Sequence, residues 1–186
     1  MAQFRVIIVG GGITGLALAN MLERYHIDFA VSEKHEDLTE TRSWIRYGAR
    51  IPDQLGCFEK LESLSMPVNS VAGYDNTGRL CTYLPDIGSW LEESRGYKMA
   101  FLERRQVLQV LYDNLRDKSK IHSSCKALDI TLTDTGVQVE TEGGVFDGDI
   151  VIGVDGVHSH VRREMERLAL AVGLEELFRR EEGEQQ

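Results

Sequence analysis

The sequence predicts an α/β fold: a parallel sheet opened by a strand–helix–strand unit, with an antiparallel β-meander inserted before the sheet resumes. Three observations predict it. Phe4 to Val9 is a short apolar, β-branched run followed without a gap by Gly10-Gly11-Gly12-Ile13-Thr14-Gly15, a G-x-G-x-x-G placed where a strand ends. Leu16, Leu18, Ala19, Leu22 and Tyr25 then recur at helical spacing, and Ile27 to Ser32 returns as a second buried strand closed by Glu33. Much later, Ile150 to Val154 is continuously apolar, as expected of a parallel strand covered on both faces.

The opening unit carries a chemical expectation. Gly10 allows the tight bend out of the strand, Gly12 lets the backbone approach a pyrophosphate with no Cβ in the way, and Gly15 lets the helix pack closely on the sheet. The free N–H groups and positive dipole end of a helix beginning near Ile13 would face the phosphates. Glu33 follows the turn by about twenty residues, at the tip of the second strand, where a carboxylate can accept both hydroxyl protons of an adenosine ribose. It would repel a 2′-phosphate, so the pattern points to FAD or NAD rather than NADP. A glycine turn can also be a tight connection and nothing more. Strand, turn, helix, strand and acid in this order and at this spacing favour the dinucleotide.

Composition narrows the alternatives. The chain has 186 residues, enough for one well-buried domain or one and a fragment. Its net charge of −9 argues against nucleic acid or an anionic membrane as partner. Cys57, Cys81 and Cys125 are far apart with no C-x-x-C spacing, which fits reduced thiols in a cytoplasmic protein and supports neither a disulfide framework nor a metal site. The first strand starts at residue 4, leaving no room for a leader peptide, and no stretch approaches the roughly 18 apolar residues of a spanning helix.

Between the two parallel segments the elements read as follows. Lys34 to Ser43 is a polar surface loop, and a short helix begins after Pro52. Leu61 to Leu64 is an apolar turn ended by Pro67. Val68–Tyr74 and Gly78–Leu84 flank Asp75-Asn76-Thr77 as a hairpin. Asp86 to Lys98 is loop with a helical turn, and Met99 to Lys118, with its stripe of Leu102, Val107, Leu108, Val110, Leu111 and Leu115, is a second helix. Ala127 to Thr133 and Val137 to Thr141 alternate as half-buried strands around Asp134-Thr135-Gly136, and Val145-Phe146 adds a third to the meander. Ser159 to Val172 is helical. Residues 173–186 form a polar tail expected to fray.

The run at Ile150 leads into Gly153-Val154-Asp155-Gly156-Val157-His158-Ser159-His160-Val161-Arg162. A strand followed by G-x-D-G-x-x-S-x-V-R resembles the second fingerprint of the flavoprotein monooxygenases related to p-hydroxybenzoate hydroxylase. The stretches Leu16 to Glu33, Asp53-Gln54-Leu55-Gly56 and Phe101-Leu102-Glu103-Arg104 look like the fungal FAD-dependent monooxygenases that epoxidise or hydroxylate meroterpenoids and indole diterpenes. The resemblance covers about residues 1 to 170. It implies a Rossmann-like FAD-binding fold, with FAD as cofactor, NAD(P)H as transient reductant, O₂ as oxidant and a hydrophobic, prenylated small molecule as substrate. By the same resemblance Gly10, Gly12 and Gly15 form the pyrophosphate turn and Glu33 is the ribose acid. Arg104 contacts the flavin cofactor, and Asp155 and Gly156 lie beside its diphosphate and ribitol. An arginine at a helix start can offer a diphosphate a planar fork of donors. The alternatives are that Arg104 or Arg105 is a solvated cation, that Asp155 caps its own turn with no ligand, and that His158 belongs to the fingerprint loop rather than to proton transfer.

Two departures from the family matter. Thr41 to Pro52 is several residues shorter than the family's loop by the flavin ring, so contacts are not transferred to Gly48-Ala49. Family members also run to well over twice this length, with a sheet covering the substrate and a later G-D motif. The resemblance therefore implies a truncated FAD-binding domain over residues 1–172 with no assignable catalytic residue. Three readings stay open: a monooxygenase polypeptide, a catalytically incompetent flavin-binding remnant, and a nucleotide-binding module needing a complementing chain.

Overall fold

The computed structural model describes residues 4–38, 44–46, 49–174 and 176. Along the chain β1 is Arg5–Val9, α1 Ile13–Arg24 and β2 Asp28–Ser32, the expected β–α–β unit. Tyr25 does not join the buried helix stripe. It lies past the end of α1 and is 76% exposed, because His26 takes a left-handed turn (φ 57°) that swings the chain toward β2. The next elements are β3 (Trp44–Arg46), α2 (Arg50–Gln54), α3 (Phe58–Leu64) and β4 (Met66–Pro67). Here two expectations are corrected. Helix α2 contains Pro52 instead of following it, since a proline in the first turn lacks only an N–H that has no intrahelical partner. Leu61 to Leu64 is the end of a helix, not a turn.

A hairpin follows as expected, β5 (Val71–Tyr74) and β6 (Leu80–Leu84), and then α4 (Ile87–Arg95), where only a helical turn was expected. Met99 to Lys118 is not one helix. It divides into β7 (Ala100–Glu103) and α5 (Arg104–Asn114). Glu103 accepts the N–H of Gln106, and the Gln106 side chain accepts the N–H of Glu103, a reciprocal cap that starts the helix there. A 3₁₀ turn (Lys118–Lys120) precedes β8 (Ile121–His122), the meander strands β9 (Ala127–Thr133), β10 (Gly136–Thr141) and β11 (Gly144–Gly148), then β12 (Ile150–Gly153) and α6 (His160–Ala171).

The chain forms two compact units. The first comprises Met1–Gly15, Leu22–Glu36 and Ser119–Gln186. Its parallel sheet has the order β12-β1-β2-β8, in a register that pairs Val9 with both Gly153 and Ser32, so three strands end level with one another. The meander, in the order β11-β10-β9, packs on this sheet: Ile7, Val9 and Ala30 meet Ala127, Ile130, Val137, Val139 and Val161 of α6 in one buried cluster. Each Ile or Val among them contributes about 1.5–3 kcal/mol of burial, which helps hold the sheet edge in place. The expectation for residues 150–154 is only half met. Strand β12 is parallel and, among the described residues, pairs with β1 alone, but its faces are not fully covered: Ile150 is 44% exposed and Val151 and Ile152 are half-buried.

The second unit comprises Leu16–Met21 and Asp37–Lys118. In it β7 pairs antiparallel with β3 and β4, and β5 pairs with β6. Helix α5 buries Val107, Leu108, Val110 and Leu111, with Leu61, Leu102 and Leu115 also withdrawn from solvent.

Candidate functional site

The site is built at the level edge where β1, β2 and β12 end. Gly10 leaves β1 with φ +115°, and its N–H donates to the Ser32 carbonyl at 2.8 Å. A Cβ there would stand 2.7 Å from the Val154 carbonyl oxygen, so only glycine fits between the two strand ends. A Cβ on Gly15 would lie 1.9 Å from the Gly10 carbonyl oxygen, so α1 can start this close to the turn only with glycine. Gly12 precedes the first helical residue, Ile13, and is half-buried. The leading N–H groups of α1 have no partner within the helix and present positive potential at this edge.

Glu33 stands at the tip of β2, 8% exposed. One carboxylate oxygen accepts the Gly11 N–H at 2.6 Å and the other accepts the His35 N–H at 2.9 Å. The Glu33 backbone is pinned as well: its N–H donates to His122 and its carbonyl accepts from Cys125. The Ser32 hydroxyl donates to the Cys125 carbonyl, and the His35 carbonyl accepts from Ser124. The acid thus bridges to the glycine turn 22 residues away. Sequence reading missed both Gly11, a variable position of the motif, and the 122–125 segment, whose contribution is main-chain and leaves no side-chain signal.

Asp155 follows β12. Its carboxylate accepts the Ser159 hydroxyl at 2.6 Å, the His160 N–H at 2.5 Å and the Val161 N–H at 3.3 Å. Burial pushes its carboxyl up, but the bonds from Ser159, His160 and Val161 outweigh this and hold it below the usual aspartate range. Ser159 in turn accepts the Arg162 N–H at 3.0 Å, so both residues cap α6. Gly156 has φ +92° with open space around an added Cβ, and Val157 (92% exposed) and His158 project into solvent.

Arg104 belongs to the second unit. It is the first residue of α5 and half-buried, and among the described residues it has no ion-pair partner, whereas Arg105 pairs with Glu103. Gly10, Gly12, Gly15, Glu33, Asp155 and Gly156 all gather in the first unit. Gly48 lies outside the described residues. Among the described residues no cluster of His, Cys, Asp or Glu could hold a metal, and no helix is long and apolar enough to cross a membrane.

These features suit a dinucleotide. Backbone N–H groups at a helix start, a glycine edge open to close approach and a nearly buried carboxylate on the neighbouring strand tip match a diphosphate and a ribose. Fold and site together define a dinucleotide-binding α/β domain. The particular family follows from comparison: residues 3–169 match the model of the FAD binding domain, and the chain belongs to that family. It is 40% identical over 173 residues to the FAD-dependent monooxygenase ntnA of Nectria sp, covering 89% of this chain and 23% of that relative. It is also 40% identical over 174 residues to the FAD-dependent monooxygenase subE of Metarhizium robertsii, covering 89% and 53%. The chain therefore spans between about a quarter and a half of the length of these two relatives. Among solved structures, 2,6-dihydroxypyridine-3-hydroxylase from Arthrobacter nicotinovorans superposes with a TM-score of 0.70 at 26% identity, covering 90% of this chain and 40% of that one. Klebsiella pneumoniae HpxO, complexed with FAD and uric acid, superposes with a TM-score of 0.73 at 24% identity, covering 86% and 41%, a likeness of fold.

Proposed function

We propose that this chain supplies the FAD-binding part of an FAD-dependent monooxygenase that hydroxylates or epoxidises a hydrophobic, prenylated secondary metabolite with NAD(P)H and O₂. The observation that carries the reading is the convergence of Gly10, Gly12, Gly15, Glu33, Asp155 and Gly156 on one sheet edge in a chain of this family. The fungal relatives are FAD-dependent monooxygenases by name, which supports the reaction class.

Each residue then has a task. The α1 N–H groups and the glycine turn receive the diphosphate, where the helix dipole favours negative charge. Glu33 keeps lone pairs free beside its bonds to Gly11 and His35, and these accept the ribose hydroxyls. Asp155 spends its charge on the start of α6 and so shapes the loop in which Gly156 lets the cofactor backbone lie close. Arg104, the flavin contact that the family resemblance implies, is half-buried and without an ion-pair partner among the described residues, which leaves its guanidinium open to an anion. When bound, FAD supplies two-electron exchange with NAD(P)H and activation of O₂. The side chains named here hold it; none of them is assigned proton transfer.

A second reading is a flavin-binding module paired with a complementing chain. Purified chain should be yellow and release a flavin spectrum on denaturation. A colourless chain that takes up no added FAD removes both readings. NAD(P)H oxidation that appears only on co-expression with the remainder of a relative favours the second over the first.

A further inference from the structure

A polar pair buried in the first unit has no place in the cofactor reading. Val137, Val139 and Thr141 follow one another on the inner face of β10, and all three are withdrawn from solvent, Thr141 to 5% exposure. A third valine, of the same shape, would satisfy the packing there. The hydroxyl is instead fully used: it donates to the Gly144 carbonyl at 2.6 Å and accepts the Gly143 N–H at 3.2 Å. Its one proton is spent on Gly144, so the Cys125 thiol, 3.0 Å from the same oxygen, is the donor in that contact. The turn is shaped to the sulfur as well. A Cβ on Gly143 would stand 2.9 Å from Cys125 Sγ, and Gly143 does not take a left-handed φ, so the space and not the bend calls for glycine.

Cys125 is also where this part of the chain grips the tip of β2. Its N–H donates to the Glu33 carbonyl at 2.8 Å and its carbonyl accepts the Ser32 hydroxyl, so one residue holds two successive residues of that tip. The residue before it, Ser124, has φ 50°, a left-handed conformation that costs a residue with a side chain about 1–2 kcal/mol. The segment therefore does not keep this path by local preference. Thr141 holds it from the meander side through the thiol, and Cys125 passes that hold to Glu33 through the main chain. All of these residues lie in the first unit, with the Gly11 N–H that the Glu33 carboxylate meets. We propose that Thr141, acting through Cys125, is a positioning residue that sets the Glu33 carboxylate against the adenosine ribose of the cofactor, and so governs how strongly the site selects ribose over deoxyribose. This rests on the reading of Glu33 given above.

The test is calorimetric titration of the full chain, freed of FAD, with ADP and with 2′-deoxy-ADP. The wild-type chain should prefer ADP by about tenfold, as expected for a hydroxyl that donates to a charged acceptor. Thr141→Val should bring this preference to about threefold or less, and Thr141→Ser, which keeps the hydroxyl, should restore it. A loss of stability lowers the affinity for both nucleotides by the same factor, so the ratio does not respond to a merely structural role. T141V leaves the Gly143 N–H and the Cys125 thiol without an acceptor, and C125A supplies a second arm that removes the thiol while Thr141 keeps its bonds to Gly143 and Gly144. It should lower the preference as T141V does. A wild-type preference for ADP in either variant overturns the proposal. Glu33→Gln separates the two readings: if the wild-type chain does not prefer ADP, or if E33Q leaves the preference intact, the assignment of Glu33 fails and the proposal with it. If E33Q abolishes the preference while T141V and C125A keep it, only the positioning role fails.

Discussion

Glu33 and Asp155 occupy matching places, each just beyond the end of a parallel strand, and each spends its carboxylate on backbone N–H groups. They spend it differently. Glu33 reaches Gly11, 22 residues away and on the neighbouring turn, as well as His35. Among the described residues Asp155 reaches only Ser159, His160 and Val161, at the start of the helix that follows it. A carboxylate that joins two turns makes the shape of one depend on the other, whereas a carboxylate that caps its own helix sets a local shape. The first arrangement suits a residue that presents lone pairs to a ligand at a fixed distance from the glycine turn. The second suits one that orders a loop.

The largest effect should come from Gly15→Ala, which attacks the turn Glu33 reaches into. Its Cβ would lie 1.9 Å from the Gly10 carbonyl oxygen, so a loss above about 3 kcal/mol in urea unfolding is expected, against at most about 1 kcal/mol regained in helix propensity. Retained stability would mean that the turn is looser than described. Next, Glu33→Gln should weaken FAD binding by about 1–3 kcal/mol, because the ribose hydroxyls and Gly11 lose a charged acceptor. Unchanged affinity by titration would leave Glu33 no different in kind from Asp155.

Asp155→Asn should instead act on stability, by about 1.5 kcal/mol near neutral pH, since hydrogen bonds to a charged acceptor are lost. The pH dependence has a definite sign. A carboxyl held below its unfolded value stabilises the folded state fully above the unfolded value of about 3.9, and that contribution is lost as pH falls through the lowered folded value. The gap between wild type and D155N should therefore be constant above about pH 5 and close in acid, read from unfolding curves across pH. A gap independent of pH would remove the charge from the explanation. The smallest effect is expected from Ser159→Ala, about 1 kcal/mol, because the Arg162 N–H loses its cap while Asp155 keeps the first two N–H groups of α6.

Much of this was legible before the structure. The glycine spacing announced the turn because only glycine tolerates φ +115° at Gly10 and the close approach at Gly15. The meander was legible because its strands alternate and its turns carry Asp134-Thr135 and Glu142-Gly143. The run from Met99 to Lys118 misled because apolar spacing continues unbroken through a strand and a helix. The boundary lies in the Glu103–Gln106 cap, a signal of two residues inside a long stripe. Residues 150–154 misled differently: a contiguous apolar run suits a parallel strand covered on both faces, and the pairing with β1 is indeed parallel, yet Ile150 is 44% exposed and Val151 and Ile152 are only half-buried.

The sequence by itself determined the local chemistry: where the backbone must bend without a Cβ, which helix end offers its N–H groups, and which strand tips carry a carboxylate. These follow from sterics and periodicity within a few residues. The tertiary structure decided what those groups meet. It turned Glu33 onto Gly11, gave the tip of β2 its main-chain support from residues 122–125, set β12 beside β1, and joined Asn20 to Leu111 and Asn114. Such pairings join residues 22 to 94 positions apart, and they exist only once hydrophobic packing has brought the segments together.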